Sequence, residues 1–321
     1  MRAAICASHD GPDAIEIQEL PEPEAGRGQV VIDVKAAGLN FPDLLMSRGL
    51  YQLKPPPPFA PGGEVAGVVS AVGDDVSDVR VGDRVMALTG FGGFCEKVVV
   101  GTNQIVKVPD SMDLTVAGGF AFTYGTSYHA LKDRAQLREG ERLLVLGAAG
   151  GVGLTAVELG RVMGAQVIAA ASTADKLDLC ERYGATGRIN YAEVDLKQRA
   201  KELGGADVVY DPVGGEYAEQ ALRALKPFGR FLVIGFASGS IPSVRLNLAL
   251  LKECSIVGVA WGAWAMRDPA GHARNIEELL ALHGEGRLEP HISETLPIDR
   301  VPDALKAMDE RKVKGKVVFT F

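Results

Sequence analysis

The sequence predicts an α/β protein with two domains, one containing a doubly wound parallel sheet and the other rich in β-strands. Its 321 residues exceed the length at which one hydrophobic core usually stops growing. Short β-type segments broken by glycine and proline fill the first third, whereas apolar strands alternate with helical segments further along. In that second part the apolar run Leu143–Leu146 opens into the glycine-rich stretch Gly147–Gly153.

The first domain is predicted to be an irregular β structure. Gly73-Asp74-Asp75 and Val81-Gly82-Asp83 provide turn residues between its strands. The predicted strands are Val30–Ala36, Glu64–Val72, Arg84–Leu88 and Cys95–Val100.

The second domain is predicted to span residues 122–261, between residues 1–121 and 262–321 of the first domain. Apolar strands separated by helices indicate a parallel sheet that is covered on both faces. Its predicted strands after the glycine-rich stretch are Gln166–Ala171, Asp207–Tyr210, Arg230–Gly235 and Ile256–Ala260, with helices at Leu154–Met163, Thr173–Tyr183 and Tyr217–Leu225. In the returning segment we predict a helix at Pro302–Glu310 and a strand at Lys316–Phe319.

The glycine-rich stretch has the pattern of a dinucleotide-binding turn of the Rossmann type. Glycine is needed where the chain leaves a strand sharply, where the backbone approaches a pyrophosphate, and where the next helix packs on the sheet. N–H groups at the helix start, aided by the helix dipole, can then bind phosphate. The predicted cofactor-binding residues of this turn are Ala148, Gly150, Gly151, Val152 and Gly153.

Composition and charge exclude several classes of function. A net charge of −7 argues against nucleic acid as a partner, because binding the phosphate backbone needs a basic face. No apolar run is long enough to span a membrane, so we expect a cytoplasmic protein without a membrane partner. The four cysteines are scattered, which predicts buried free thiols, and neither cysteine nor histidine spacing predicts a metal site.

The end of the second predicted strand indicates which cofactor binds. NAD enzymes of this fold place a carboxylate there, which bonds the adenosine ribose. This chain has Ala170, Ala171 and Ser172 instead. Small residues leave room for a 2′-phosphate, to which Ser172 can offer a hydrogen bond and Lys176 a positive charge. We therefore predict NADPH rather than NADH, although Ser172 is equally suited to capping a helix and Lys176 to a solvated helix face.

The chain resembles the zinc-free branch of the medium-chain dehydrogenase/reductase superfamily, the quinone oxidoreductase or zeta-crystallin-like group. The resemblance extends from end to end and implies a GroES-like fold for the first, catalytic domain. It rests on Gly38-Leu39-Asn40-Phe41-Pro42-Asp43, Arg48-Gly49-Leu50-Tyr51, Pro61-Gly62-Gly63-Glu64-Val65-Ala66-Gly67, the turn Ala148–Gly153 and Gly315-Lys316-Val317-Val318.

Two replacements separate the chain from the zinc alcohol dehydrogenases it also resembles. Asn40 stands where those relatives have a cysteine ligand, and Gly63 where they have a histidine ligand. The four-cysteine structural lobe is missing as well, since only Cys95 follows Val85 in this domain. Zinc-assisted alcohol oxidation is therefore disfavoured.

The resemblance also implies further cofactor contacts and an oligomeric state. By similarity, Thr126 would touch the nicotinamide end and Tyr191 would lie near the adenosine phosphate. Gly235 and Phe236 would line the cofactor, and Lys316 would approach it from the C-terminal segment. A homodimer is expected by resemblance alone.

Three polar residues are candidates for the catalytic site. The amide of Asn40 can hold a carbonyl oxygen, and the phenol of Tyr51 can donate a proton as negative charge develops. In the related enoyl-thioester reductases a tyrosine matching Tyr51 is the proposed proton donor. Asp43 is the third candidate, although a turn or cap role would also suit it.

The resemblance implies hydride transfer from NADPH to an electron-poor small molecule. The cofactor supplies the chemistry, and the protein orients the nicotinamide and stabilises charge on the acceptor oxygen. The leading hypothesis is a quinone reductase. The alternatives are an enoyl-CoA or enone reductase, which shares every motif above, and a non-catalytic NADPH-binding protein.

Overall fold

A computed structural model describes residues 1–321 and divides them into two compact units. Unit 1 comprises Met1–Phe122 and Pro290–Phe321, and unit 2 comprises Thr123–Glu289. The strands are β1 (Arg2–Cys6), β2 (Ile15–Glu19), β3 (Gln29–Gly38), β4 (Glu64–Val72), β5 (Arg84–Leu88), β6 (Lys97–Gly101), β7 (Ile105–Lys107), β8 (Arg142–Leu146), β9 (Gln166–Ala171), β10 (Gly187–Asn190), β11 (Ala206–Asp211), β12 (Leu225–Val233), β13 (Ser255–Gly258), β14 (Ile292–Pro297) and β15 (Lys316–Thr320). The helices are α1 (Phe41–Ser47), α2 (Leu114–Ala117), α3 (Ala121–Tyr128), α4 (Gly151–Val162), α5 (Ala174–Arg182), α6 (Leu196–Glu202), α7 (Gly215–Ala224), α8 (Asn247–Lys252), α9 (Trp261–Arg267), α10 (Pro269–Gly284) and α11 (Val301–Asp309).

Unit 1 is built on a seven-stranded sheet. Its strands follow the order β14-β15-β3-β4-β5-β7, and β6 pairs with β3 outside that path. Val30, Ile32 and Val34 alternate along β3 with their side chains buried, as expected for a strand with one face on the core. Phe94 and Phe319 meet edge to face in the same core, with ring centroids 4.9 Å apart.

Unit 2 confirms the prediction of a doubly wound parallel sheet. Its six strands follow the order β10-β9-β8-β11-β12-β13, and every neighbouring pair is parallel. The strand order reverses between β8 and β11, where folds of this class bind ligands beyond the carboxyl ends of the strands. Leu143–Leu146 of β8 is fully buried because helices cover both faces of a parallel sheet.

The compact units and the predicted domains differ in where the chain returns to the first of them. We placed the return at residue 262, but residues 262–289 belong to unit 2 and the chain returns at Pro290. Helix α10 accounts for the difference, because it buries Ile276 and Leu279 and bonds to the end of α3 and the π-helical turn that follows. Tyr128 donates to Glu278 over 2.5 Å, and Lys132 donates to Asn275 over 3.1 Å.

Several short elements escaped prediction. Strand β10 contains only one buried aliphatic residue, Ile189, so its sequence carries no apolar run. Parallel pairing with β9 defines this strand instead. No helix of the chain is both long and apolar enough to cross a membrane.

Candidate functional site

The glycine-rich turn after β8 owes its shape to two of its glycines. Gly147 has a φ of +55°, a conformation that L side chains rarely adopt. At Gly153 a Cβ would lie 2.3 Å from the carbonyl oxygen of Gly147, so a side chain there would displace the backbone. At Gly150, by contrast, a Cβ would meet only the Gly147 oxygen, at 3.4 Å. The turn therefore leaves no space for a side chain at Gly153, whereas the backbone at Gly150 can be approached by another molecule.

The first turn of α4 presents backbone donors at this open side. The first intrahelical bond runs from the N–H of Leu154 to the carbonyl of Gly150 over 2.8 Å. The N–H groups of Gly151, Val152 and Gly153 precede that bond, and helix geometry gives them no acceptor within the helix. Together with the helix dipole they form an anion-binding site of the kind that holds a diphosphate.

The segments after β9 and β10 lie close together, and β9 is the neighbour of β8, the strand that the glycine-rich turn follows. Lys176 points its ammonium at the hydroxyl of Ser172, with 3.4 Å between Nζ and Oγ. The N–H of Tyr191 bonds to the carbonyl of Ala171 over 3.1 Å, which places Tyr191 at the end of β9. Two residues that we predicted to contact the adenosine part of a cofactor, Ser172 and Tyr191, thus lie at the carboxyl end of β9, with the ammonium of Lys176 from α5 beside Ser172.

The remaining predicted cofactor residues of unit 2 follow β12 or lie on α3. The N–H of Gly235 bonds to the carbonyl of Asp211 at the end of β11, and Phe236 follows it. Thr126 lies on α3 and is buried. Apart from Thr126 on α3 and Lys176 on α5, the predicted cofactor residues of unit 2 therefore lie in the segment directly after a parallel strand or, for Gly151, Val152 and Gly153, in the first turn of α4.

Lys316 has a different environment, a buried polar network inside unit 1. Its ammonium donates to the carbonyl of Leu39 over 3.0 Å and to Oδ1 of Asn40 over 2.7 Å, and it forms an ion pair with Glu64. The Lys316 and Glu64 side chains are only 6% and 1% exposed. These partners of the ammonium all belong to unit 1, so its predicted approach to a cofactor stays a prediction.

Asn40 and Asp43 have every side-chain polar atom engaged within unit 1. Besides accepting from Lys316, the Asn40 amide donates to Glu64 over 3.0 Å and to the carbonyl of Gly38 over 3.2 Å. Asp43 accepts from the N–H of Asn40 over 2.8 Å and from the N–H of Gly62 over 3.0 Å. These bonds fix the backbone at the start of α1.

Burial raises the pKa of Asp43 to about 7. The two backbone N–H groups and the nearby Lys316 ammonium favour its ionised form, but the loss of water outweighs them.

Tyr51 differs from the other two catalytic candidates because its hydroxyl is not engaged. The ring packs partly against the core of unit 1, and no hydrogen bond from the chain influences the phenol. Burial, with a smaller contribution from the Asp43 carboxylate, raises the pKa of Tyr51. The hydroxyl therefore stays protonated at neutral pH and is available to donate to another molecule.

Glu64 is the residue that sequence reasoning missed at this site. It lies in the glycine-containing motif Pro61–Gly67, and the signal that could have identified it is a carboxylate at the start of a mostly apolar strand. Its second oxygen accepts from the N–H of Phe122 over 2.9 Å, so one side chain connects β4, β15 and the end of unit 1. No group of three or more His, Cys, Asp or Glu side chains is arranged to hold a metal ion.

Two family models match the chain. The model described as the alcohol dehydrogenase GroES-like domain covers residues 26–110, and the model described as zinc-binding dehydrogenase covers residues 151–278. They fall in unit 1 and unit 2 respectively, which agrees with the predicted β-rich and Rossmann-type domains.

Individual relatives resemble the chain over its whole length. Quinone oxidoreductase-like protein 2 of Bos taurus is 38% identical over 99% of this chain and 92% of its own length. Among solved structures, the quinone oxidoreductase of Thermus thermophilus, determined also in complex with NADPH, is 36% identical with a TM-score of 0.86, covering 100% of both chains. The CurK enoyl reductase has a TM-score of 0.90 at 27% identity, covering 99% of this chain and 98% of that one. The chain belongs to the quinone oxidoreductase family of the medium-chain dehydrogenases/reductases.

Proposed function

We propose that this protein is an NADPH-dependent oxidoreductase that transfers hydride to a quinone without a metal ion. The observation that carries the proposal is the turn after β8. It leaves three backbone N–H groups of α4 directed away from the helix, at the point where the strand order of the sheet reverses. Similarity of the chain to quinone oxidoreductase-like protein 2 of Bos taurus and to the quinone oxidoreductase of Thermus thermophilus supports the same conclusion.

The residues present fit NADPH. A diphosphate needs a backbone that it can approach closely, and the side of the turn beyond Gly150 meets that need. The 2′-phosphate needs hydrogen-bond donors and positive charge, and Ser172 after β9 supplies a hydroxyl and Lys176 of α5 an ammonium group. The Thermus thermophilus relative was solved as a complex with NADPH.

Tyr51 is our candidate for the proton donor. Bound NADPH would supply a hydride, and reduction of a quinone to a hydroquinone then requires one proton in addition. The free, protonated hydroxyl of Tyr51 can give that proton to an acceptor oxygen and regain one from solvent. Asn40 and Asp43, whose polar atoms are engaged, hold the segment before α1 in place. In this proposal Thr126, Gly235 and Phe236 orient the nicotinamide.

The experiment that tests this function begins with equilibrium titration of the purified protein with NADPH and NADH. Turnover of NADPH is then compared on a soluble benzoquinone and on a crotonyl-type thioester. We expect tighter binding of NADPH and faster turnover on the quinone. Absence of binding to either coenzyme overturns the proposal, and tight binding without turnover on any acceptor indicates a non-catalytic NADPH-binding protein.

Replacing Tyr51 with phenylalanine tests the proton donor. We expect Tyr51→Phe to lower kcat on the preferred acceptor by about a hundredfold, in the range that loss of a general acid produces, while the NADPH Kd stays constant. Tyr183→Phe in unit 2 is the matched control and should keep full activity. If Tyr51→Phe turns over at the wild-type rate, another group or water provides the proton.

Reduction of an enone or enoyl thioester is the second candidate. It uses the same cofactor cradle and the same tyrosine, and similarity to the CurK enoyl reductase favours it. The two candidates differ in where hydride and proton add. In the first, the quinone accepts the hydride and its oxygen the proton. In the second, hydride adds to the β-carbon of an unsaturated carbonyl and the α-carbon takes the proton. Faster turnover on the crotonyl-type thioester would favour this second function.

We further propose a homodimer that acts in the cytoplasm. The supporting feature is β13, the last strand of the unit 2 sheet, whose Ser255, Ile256 and Gly258 are exposed. Leu250 and Leu251 of α8, next to it in the chain, are also exposed. An exposed sheet edge with apolar neighbours is a common site of pairing with a second copy. All four cysteines are free thiols, as expected in a reducing compartment.

A further inference from the structure

Three buried hydroxyl side chains meet in unit 2, and the mechanism above uses none of them. Ser127 of α3 lies 2.8 Å from the hydroxyl of Tyr210 on β11 and 2.8 Å from the hydroxyl of Thr155 on α4. Ser127 and Tyr210 are 0% exposed and Thr155 is 8% exposed. We call these three residues the hydroxyl triad.

Within the hydroxyl triad, the Tyr210 hydroxyl depends on Ser127 for its hydrogen bond, whereas Ser127 and Thr155 also bond to backbone carbonyls. The hydroxyl of Ser127 donates to the carbonyl of Val152 over 2.9 Å, so Tyr210 has Ser127 as its acceptor. Thr155 donates to the carbonyl of Thr123 over 3.2 Å or to that of Val152 over 3.1 Å. Each hydroxyl thus has a partner, and removing the central one leaves the Tyr210 hydroxyl buried without an acceptor.

These bonds join α3 to the first turn of α4, directly after the glycine-rich turn. Val152 is one of the residues whose N–H groups form the anion site, and its carbonyl accepts from Ser127. Gly125 of α3 packs closely against Trp261, because a Cβ there would lie 2.5 Å from the Trp261 ring. Thr123 and Ser127 of α3 are therefore bonded to the first two turns of α4, on either side of Thr126 in the chain.

We propose that the hydroxyl triad positions bound NADPH, by fixing Thr126 at a set distance from the turn that holds the diphosphate. The proposal rests on the proposed function, in which Thr126 contacts the nicotinamide. Ser127 follows Thr126 directly in helix α3. A shift of α3 along α4 would therefore move both residues by the same distance. Ser127, Tyr210 and Thr155 touch no cofactor in this scheme and act as positioning residues.

The test compares Ser127→Ala, Tyr210→Phe and the double variant. Ser127→Ala leaves the Tyr210 hydroxyl unsatisfied, whereas the double variant removes both polar groups and should recover part of the lost stability. We expect all three to lower NADPH turnover about tenfold, as small misplacements of reacting groups do, with the NADPH Kd within about twofold of wild type. Bound NADPH should show lower fluorescence anisotropy in each, because its nicotinamide is held less firmly.

Ile189→Val is the matched control, since it removes a buried methyl group from β10 of the same unit without touching α3. It should lose stability but keep wild-type turnover and anisotropy. Recovery of turnover together with stability in the double variant would show a purely structural role and overturn the inference. So would wild-type anisotropy in Ser127→Ala. If the wild-type protein binds no NADPH, both the proposed function and this inference fail. If the wild-type protein is active and the three variants keep its turnover and anisotropy, only the inference on the hydroxyl triad fails.

Discussion

At the residue scale, the cost of burying charge governs the network in unit 1. Asp43, Glu64 and Lys316 are all nearly inaccessible, and each keeps its place through bonds to backbone or to one another. Such groups contribute to stability only while their partners remain, because an isolated charge in the protein interior is very unfavourable. Two predictions about stability follow from this.

Asp43 should make the protein less stable as the pH rises from about 4 to about 7. Its pKa is about 7 in the folded state, against 3.8 when unperturbed, so the folded state holds a proton that the unfolded state has lost. Taken alone, a difference of this size corresponds to up to about 4 kcal/mol across that interval. Urea unfolding of the wild type and Asp43→Asn at several pH values measures the effect.

Asp43→Asn is expected to be less stable than the wild type, because the single oxygen of an amide cannot replace the two oxygens that accept from the N–H groups of Asn40 and Gly62. Its stability should nevertheless fall less steeply over that pH interval. Asp78→Asn, at an exposed position of the same unit, is the control and should keep the wild-type slope. Equal slopes in Asp43→Asn and wild type would mean that Asp43 is already ionised in the folded protein at low pH.

The Lys316–Glu64 pair should behave as a unit. Lys316→Met leaves the Glu64 carboxylate buried without its cation, which should cost about 3–5 kcal/mol of unfolding free energy. The double variant Lys316→Met with Glu64→Gln removes both charges and should be more stable than Lys316→Met alone. A double-mutant cycle by urea unfolding measures this coupling, and additive losses would contradict it.

At the element scale, the sequence predicted what local pattern determines. Strands β4, β5 and β9 have the predicted bounds, because apolar runs between turn residues define them. The glycine-rich turn was predictable for the same reason, since its glycines and flanking elements are adjacent in the chain. The Lys316–Glu64 pair was not, because its members are 252 residues apart and only the fold brings them together.

Two glycines of that turn should respond differently to alanine. In Gly153→Ala the new methyl group would meet the Gly147 carbonyl, and we expect a loss of about 1–3 kcal/mol in stability. Gly150→Ala has room, so its stability should fall by no more than about 1 kcal/mol, the cost of alanine at a helix N-cap. Its methyl group should still weaken NADPH binding by displacing the diphosphate. Thermal melts and NADPH titration separate the two effects, and wild-type affinity in Gly150→Ala would place the phosphates elsewhere.

At the scale of the whole molecule, the number of domains was predictable from the sequence but the exact point of return was not. Residues 262–289 contain none of the motifs from which we predicted the two domains. Their place is decided by contacts such as the bond from Asn275 to Asp133, 142 positions away in sequence. A domain boundary that depends on such long-range contacts can be located only from the folded structure.

The proposed homodimer leads to a prediction about the exposed edge of unit 2. If β13 pairs with its counterpart in a second copy, a charge at its exposed Ile256 or at Leu251 of α8 should oppose association by placing like charges together. Sedimentation velocity should show a dimer for wild type and a shift towards monomer for Ile256→Lys and Leu251→Lys. Val81→Lys, at an exposed apolar position of unit 1, should remain a dimer. A wild-type monomer at every concentration tested would refute the dimer, and dimers in both edge variants would place the interface on another surface.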